Sequence, residues 1–298
     1  METNVGCNML DQFHDTRSHK MKSLLTIIIL TSLFGTLLLP AHADPKTDLK
    51  AYHDFFKKKF PDLTFVDLSN GMYNFNPVKR EQWEEIMDFP TYEIAIDNGQ
   101  ALFTTPFKNG KTYADCFDKK GVGIAHLYPR FDTKKGRVVT LAGAINECRK
   151  KNGEKPYPYL KGKIANILAY MANTSRGKPI NIIIPNDPRA LAAYRDGKRI
   201  YFTRRGPRAF ACSSCHWQAA GLKIRGNELS PAVGQATHFP TYRSKWGAMG
   251  TIQRRYKGCM KNIGAKPLKQ QSEAMNNLEY FHTYLSNGIP MNAPGTRF

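Results

Sequence analysis

Cys212-Ser213-Ser214-Cys215-His216 constrains this chain more than any other five residues in it. Two thiols three residues apart fall on one helical turn, and an imidazole follows at once. That spacing lets the thiols reach the two vinyl groups of a haem while the histidine takes the iron. A structural zinc site would need a second Cys/His pair at similar spacing, and the sequence has none. The pattern predicts one covalent c-type haem on Cys212 and Cys215, with His216 as proximal ligand, inside a mainly α, cytochrome c-like domain.

The amino terminus places that haem outside the cytoplasm. Leu24–Leu39 is an apolar run of 16 residues behind Lys20 and Lys22, followed by Pro40 and the small-x-small site Ala41-His42-Ala43. A spanning helix needs about 20 apolar residues, so the run reads as a secretory signal, residues 1–43, and not as a membrane anchor. Met21 is a plausible alternative start. The leader carries three basic and three acidic side chains, so the formal charge of +20 stays on the exported protein, which is expected in the periplasm. Such an excess favours an anionic partner, and export argues against nucleic acid.

Export also gives the six cysteines meaning. Cys7 leaves with the leader and Cys212 and Cys215 hold haem, so Cys116, Cys148 and Cys259 remain. An internal repeat sorts them. At a constant offset of 111 residues, Cys148 matches Cys259, Gly153 matches Gly264, and Lys155-Pro156 matches Lys266-Pro267. Asn166 and Ser175 match Asn277 and Ser286, Gly177 and Pro179 match Gly288 and Pro290, and Asn181 matches Asn292. This predicts two cytochrome c-like domains related by duplication. Ahead of Cys148 the first copy has Cys116-Phe117-Asp118-Lys119-Lys120, with Lys where the second Cys and the His would stand. That copy is expected to be haemless, with Cys116 and Cys148 as its disulfide, and Cys259 is the odd thiol.

The second axial ligand stays open at this level, because Met249, Met260, Met275, Met291, His238 and His282 compete with Cys259. With Met or His the chain would be a plain electron-transfer cytochrome. A Cys259 thiolate would instead lower the haem potential and suit sulfur chemistry. Arg255 lies four residues before Cys259. If Gly247–Met260 is helical, the two side chains share a face. A guanidinium there would lower the thiol pKa and bind an oxyanion by two hydrogen bonds. Arg254 and Lys257 lie on neighbouring faces and suit steering. Arg204, Arg205, Arg208 and Lys223 bracket the haem motif and could line an anion path. Trp217, Trp246 and Tyr256 read as packing around the haem, and His53, His126, His238 and His282 have no metal-ligand spacing.

The pairing of the haem motif with Gln253-Arg-Arg-Tyr-Lys-Gly-Cys259, preceded by Tyr201-Phe-Thr-Arg-Arg-Gly206, resembles the SoxA family of c-type cytochrome subunits from thiosulfate-oxidising systems. The likeness runs from about Asp44 to Gly288 and fits the single-haem members, whose first domain holds a disulfide. It implies that Cys259 is the distal ligand, able to carry an extra sulfur, and that Cys259 and Arg255 are catalytic. The implied activity is that of an L-cysteine S-thiosulfotransferase, which joins thiosulfate to a cysteine of a carrier protein. It also implies a SoxX-like haem subunit as partner and a SoxYZ-like carrier as substrate.

The expected organisation is an arm over residues 44–100, with helices at Asp48–Phe60 and Glu81–Met87. A haemless module follows over 101–180 and a haem module over 181–298. A helix is expected around Leu160–Met171, and another through Pro185–Gly197 leading into a strand at Arg199–Thr203.

Overall fold

Each copy is built on a pair of crossed helices that touch backbone to backbone at a glycine. The computed structural model describes residues 44–298, so the leader expected over 1–43 lies outside the described residues. In the first copy α4 (Glu93–Thr104) crosses α6 (Lys163–Asn173), and in the second α7 (Pro188–Phe202) crosses α9 (Glu273–Tyr284). A Cβ on Gly99 would lie 2.0 Å from the Asn166 carbonyl oxygen, and one on Gly197 would lie 2.0 Å from that of Asn277. Asn166 and Asn277 are among the residues matched by the repeat.

The third helix of each copy repeats as well. Thr140 caps α5 (Leu141–Lys151) and Thr251 caps α8 (Ile252–Asn262), each hydroxyl accepting from a backbone N–H of the first turn. Ser175 and Ser286 play one role, their hydroxyls accepting from Ala125 N at 2.9 Å and Gly234 N at 3.0 Å. The two copies exchange main-chain hydrogen bonds across the Gly-x-Pro segments. Gly177 donates to Met291 and Gly288 donates to Ile180, at 2.8 and 2.9 Å.

Ahead of the first copy come α1 (Pro45–Lys59), α2 (Phe65–Ser69) and α3 (Pro77–Asp88). Asp44 caps α1 by accepting from Lys46 and Thr47, with Pro45 at the first helical position. This segment packs on the second copy: Asp48 takes hydrogen bonds from Tyr194 at 3.0 Å and Lys198 at 2.8 Å. The ring of Trp217, next to His216, lies among Tyr52, Phe55 and Phe56 of α1, with Phe55 stacked on it at 4.5 Å.

Strands are few and short. β1 (Arg130–Asp132) and β2 (Arg137–Val139) form an antiparallel hairpin, as do β3 (Lys223–Ile224) and β4 (Asn227–Glu228). β5 (Thr241–Arg243) lies between antiparallel β6 (Ala248–Gly250) and parallel β7 (Gly295–Arg297). The fold is mainly helical, as expected for two cytochrome c-like units.

Three expected boundaries move. The arm was set to end at residue 100, but that point falls inside α4, whose Ala95, Gly99 and Phe103 are buried. The strand expected at Arg199–Thr203 is the last turn of α7. Ala190, Ala193, Tyr194, Gly197, Ile200 and Tyr201 are all buried, so the helical period runs through it and overrides the β-prone residues. The helix expected over Gly247–Met260 begins at Ile252, because Gly247 is left-handed (φ 57°) and Ala248–Gly250 pairs with β5.

Candidate haem and thiol site

The haem motif occupies the start of the second copy, where Ser214–Gln218 forms a π-turn closed by Ala219 N donating to Ser214 O at 3.2 Å. Such widened turns recur at functional sites because they tilt consecutive side chains toward one point. His216 is anchored from behind, since Nδ1 lies 2.9 Å from the Ser230 carbonyl. With the proton on Nδ1, the lone pair of Nε2 is free for a metal.

Cys212, Cys215 and Cys259 are free thiols. Cys212 and Cys215 are both pushed up by burial and by Cys259, Cys212 to about 12. Cys259 behaves oppositely. Burial raises it, but the Arg255 guanidinium, the adjacent His216 imidazole and Arg243 bring it down to about 6. This surrounding favours the thiolate of Cys259, with His216 beside it. Arg255 and Cys259 do share one face of α8, one turn apart.

Arg243 was not singled out from the sequence. It lies sixteen residues before Cys259 and reaches the site only because β5 is inserted between β6 and β7. Its Nε is buried without a partner, and its register neighbour Arg297 is also buried. Among the described residues Arg243, Arg254, Arg255 and Arg297 form no ion pair with a carboxylate. Trp246 lies between Arg254, at 4.3 Å from the ring centroid, and Arg243, at 5.4 Å. Its role is to hold guanidinium groups.

The bracketing cations separate. Lys223 pairs with Glu228 at 3.6 Å, and Arg208 donates to the Asn262 carbonyl at the end of α8. Arg204 is exposed, whereas Arg205 sits beside Cys212 and opposes the rise in its pKa.

The alternative ligands have other occupations. Met249 packs with Tyr92, Ala95, Ala165 and Ala169 in a separate cluster, and Met260 accepts from Leu268 N at 3.4 Å. Met275 is buried within α9, and Met291 lines a cavity between the two copies. His282 has both ring nitrogens in hydrogen bonds, to Tyr256 at 2.7 Å and to Gln235 at 3.0 Å. His238 is buried with Nδ1 unpartnered, near Arg243, Arg297 and Arg255.

Two thiols, an imidazole and a thiolate form a donor set suited to a c-type haem. The buried polar atoms agree. Among the described residues six such side-chain atoms lack a partner, and five belong to the second copy: Tyr201 Oη, Arg205 Nε, His238 Nδ1, Arg243 Nε and Asn292 Oδ1. Buried groups of this kind are normally satisfied, so their concentration in the second copy fits a bound polar-edged prosthetic group. In the first copy Cys116 and Cys148 are joined as a disulfide, Lys119 and Lys120 take left-handed backbone, and the donor set is absent.

A model of the SoxA/TsdA cytochrome c domain matches residues 98–180 and 196–291. The chain is 49% identical over 256 residues to the L-cysteine S-thiosulfotransferase subunit SoxA of Allochromatium vinosum, covering 86% of this chain and 91% of that protein. It is 47% identical over 250 residues to the same subunit of Chlorobaculum tepidum, covering 84% and 87%. The crystal structure of SoxXA from P. pantotrophus superposes with a TM-score of 0.67 at 26% identity, over 73% of this chain and 84% of that one. On these likenesses and the doubled helix-crossing architecture, the chain belongs to the SoxA/TsdA cytochrome c family.

Proposed function

We infer that this protein is the thiol-bearing haem subunit of an L-cysteine S-thiosulfotransferase, working in the periplasm with a SoxX-like cytochrome and loading thiosulfate onto a cysteine of a SoxYZ-like carrier. The observation that carries the reading is the placing of Cys259 beside His216 and close to the guanidinium groups of Arg255 and Arg243, which have no carboxylate partner among the described residues.

Cys212 and Cys215 would hold one haem covalently, with His216 and Cys259 as the side chains that would meet its iron. When bound, it supplies a one-electron acceptor next to the sulfur chemistry. Arg255 presents a planar fork that matches the sulfonate oxygens of thiosulfate, and Arg243 adds a second positive charge from β5. The bound anion then lies with its terminal sulfur toward Cys259. Joining that sulfur to a carrier thiol makes one S–S bond and releases one proton and two electrons, one electron for the haem of this chain and one for that of the SoxX-like cytochrome. The remaining basic surface steers the anionic substrate and the carrier protein. The disulfide copy serves as scaffold.

Intact mass of the exported protein tests the count, with one haem, one disulfide and cleavage after Ala43 expected. Two haems would overturn the division of labour between the copies. A plain electron carrier with a Met ligand is the competing reading. A Met–iron charge-transfer band that survives Cys259→Ala would establish it and end the proposal.

A further inference from the structure

At the seam where the two copies meet lies a cavity of about 70 Å³. Its walls are duplicated. Every first-copy residue of the lining has its counterpart, at the offset of 111 residues, in the lining as well. The space is therefore enclosed by two equivalent surfaces, and their chemistry differs. Where α5 and α6 present Ala142, Leu168 and Ala172, α8 and α9 present Gln253, Glu279 and Thr283. The scaffold closes this seam with aliphatic groups on one side, so the carboxylate, amide and hydroxyl on the other are not a requirement of the fold.

Glu279 stands apart from the other sheltered carboxylates of this basic chain. Glu228 pairs with Lys79 at 2.8 Å, Asp48 with Lys198 at 2.8 Å, and Asp187 with Arg189 at 2.7 Å. Among the described residues Glu279 pairs with no Lys, Arg or His, and only one of its oxygens has a partner, the Gln253 amide at 2.8 Å. That amide also donates to Asn276 at 3.0 Å, and its carbonyl accepts from Gln271 N at 3.0 Å, so Gln253 has nothing more to offer. Thr283 is 5% exposed, and its hydroxyl makes no hydrogen bond among the described residues. Glu279 and Thr283 are one turn apart on α9, so the free carboxylate oxygen and the free hydroxyl share one face of the helix and open on the same cavity. A sheltered carboxylate without a counter-charge is costly.

We propose that this cavity binds one small monovalent cation, an alkali metal ion or ammonium, on the oxygens of Glu279 and Thr283. The lining holds a single carboxylate, hence one negative charge, whereas divalent ions collect several carboxylates or keep most of their waters. Size sets the upper limit. Cavities of about 150 Å³ take a benzene ring, so this one takes an ion with one or two waters. The aliphatic wall of the first copy lowers the local dielectric and strengthens the attraction. The bound ion neutralises Glu279 and, through the Gln253 amide, fixes α9 against α8, the helix that carries Arg255 and Cys259. None of this depends on which group occupies the haem motif.

The test unfolds the exported, haem-loaded protein in urea at pH 8, where Glu279 is ionised, in the chlorides of sodium, potassium, ammonium and tetramethylammonium at one ionic strength. Tetramethylammonium is too large for the cavity and serves as the reference. With a dissociation constant of about 0.1 M, about 0.4 M of the best-fitting small cation raises the folding equilibrium constant about fivefold over that reference. Glu279→Gln, nearly isosteric and uncharged, removes the difference, and Thr283→Val reduces it. Ammonium matching potassium identifies a hydrogen-bonded cation, and ammonium below both metals identifies an alkali ion; either supports the proposal. Equal folding constants in all four salts would overturn it, as would an unchanged rank order in Glu279→Gln. Should that variant fail to fold, the sodium NMR line decides together with Thr283→Val. The wild-type protein broadens the line and potassium reverses the broadening, whereas no broadening, or equal broadening by Thr283→Val, would overturn the assignment.

Discussion

Cys148 and Cys259 occupy the same place on two copies of one helix, yet one is tied to Cys116 and the other is a free thiol beside Arg255. Scaffold and chemistry are thereby separable. Replacing Cys116 and Cys148 together with serine should cost about 3 kcal/mol of stability. Haem content and its absorption spectrum should not change. Chemical denaturation of the haem-loaded protein measures the first, and a spectrum loss would show that the first copy does more than support.

The glycines at the helix crossings carry a sharper expectation. Gly197→Ala drives a methyl into the Asn277 carbonyl and the Phe281 side chain, and Gly99→Ala does the same to Asn166. Each should cost about 3 kcal/mol, because both helices must separate to admit it. Losses well under 1 kcal/mol in urea unfolding free energy would mean the crossings are looser than described.

Arg255 and Arg243 act on the same sulfur from α8 and from β5. Arg255→Lys keeps the charge but loses the planar fork, and should lower kcat/KM for thiosulfate about thirtyfold, about 2 kcal/mol of transition-state binding. Arg243→Met should do nearly as much. Both variants should load haem normally. Undiminished turnover in either one would remove that guanidinium from substrate binding.

Glu279 predicts a pH effect on stability. It lines the cavity between the copies with Gln253, Gln271, Thr251 and Thr283, and its carboxylate partner is the Gln253 amide at 2.8 Å. Burial pushes it up to about 7. The unfolded chain releases this proton near 4.5, before the folded one does. The folded state thus loses stability as pH rises from about 4.5 to about 7, by about 3 kcal/mol in all. Glu279→Gln should abolish that slope and stabilise the protein at pH 8, as followed by melts from pH 4.5 to pH 8.

Much of this was legible before any coordinates, and for a definite reason. Cys212, Cys215 and His216 are adjacent in sequence, and Arg255 and Cys259 are one helical turn apart, so their proximity is local. Asn166 with Asn277 could be read because a duplication repeats them at constant offset, and Cys116 with Cys148 because the first copy keeps only one cysteine of a haem motif. Arg243 could not be read, because it reaches Cys259 only through the strand order β6-β5-β7. Gln235 and His282 were equally hidden, joined across 47 residues by a single amide. The error at Arg199–Thr203 has the same origin: local β propensity was outweighed by burial of every third or fourth side chain in α7.

The grip of α1 on Trp217 has a consequence in time. Lys59 donates to the carbonyls of Trp217 and Gln218, at 3.3 and 2.7 Å, and Phe55 covers the indole ring. Once α1 is seated, the turn bearing the two thiols is clasped from outside, whereas thioether formation requires that turn to be open to a haem still being delivered. If Cys212 and Cys215 take haem as proposed, α1 is expected to seat on that turn only after attachment, so the segment at the start of the described chain would settle late.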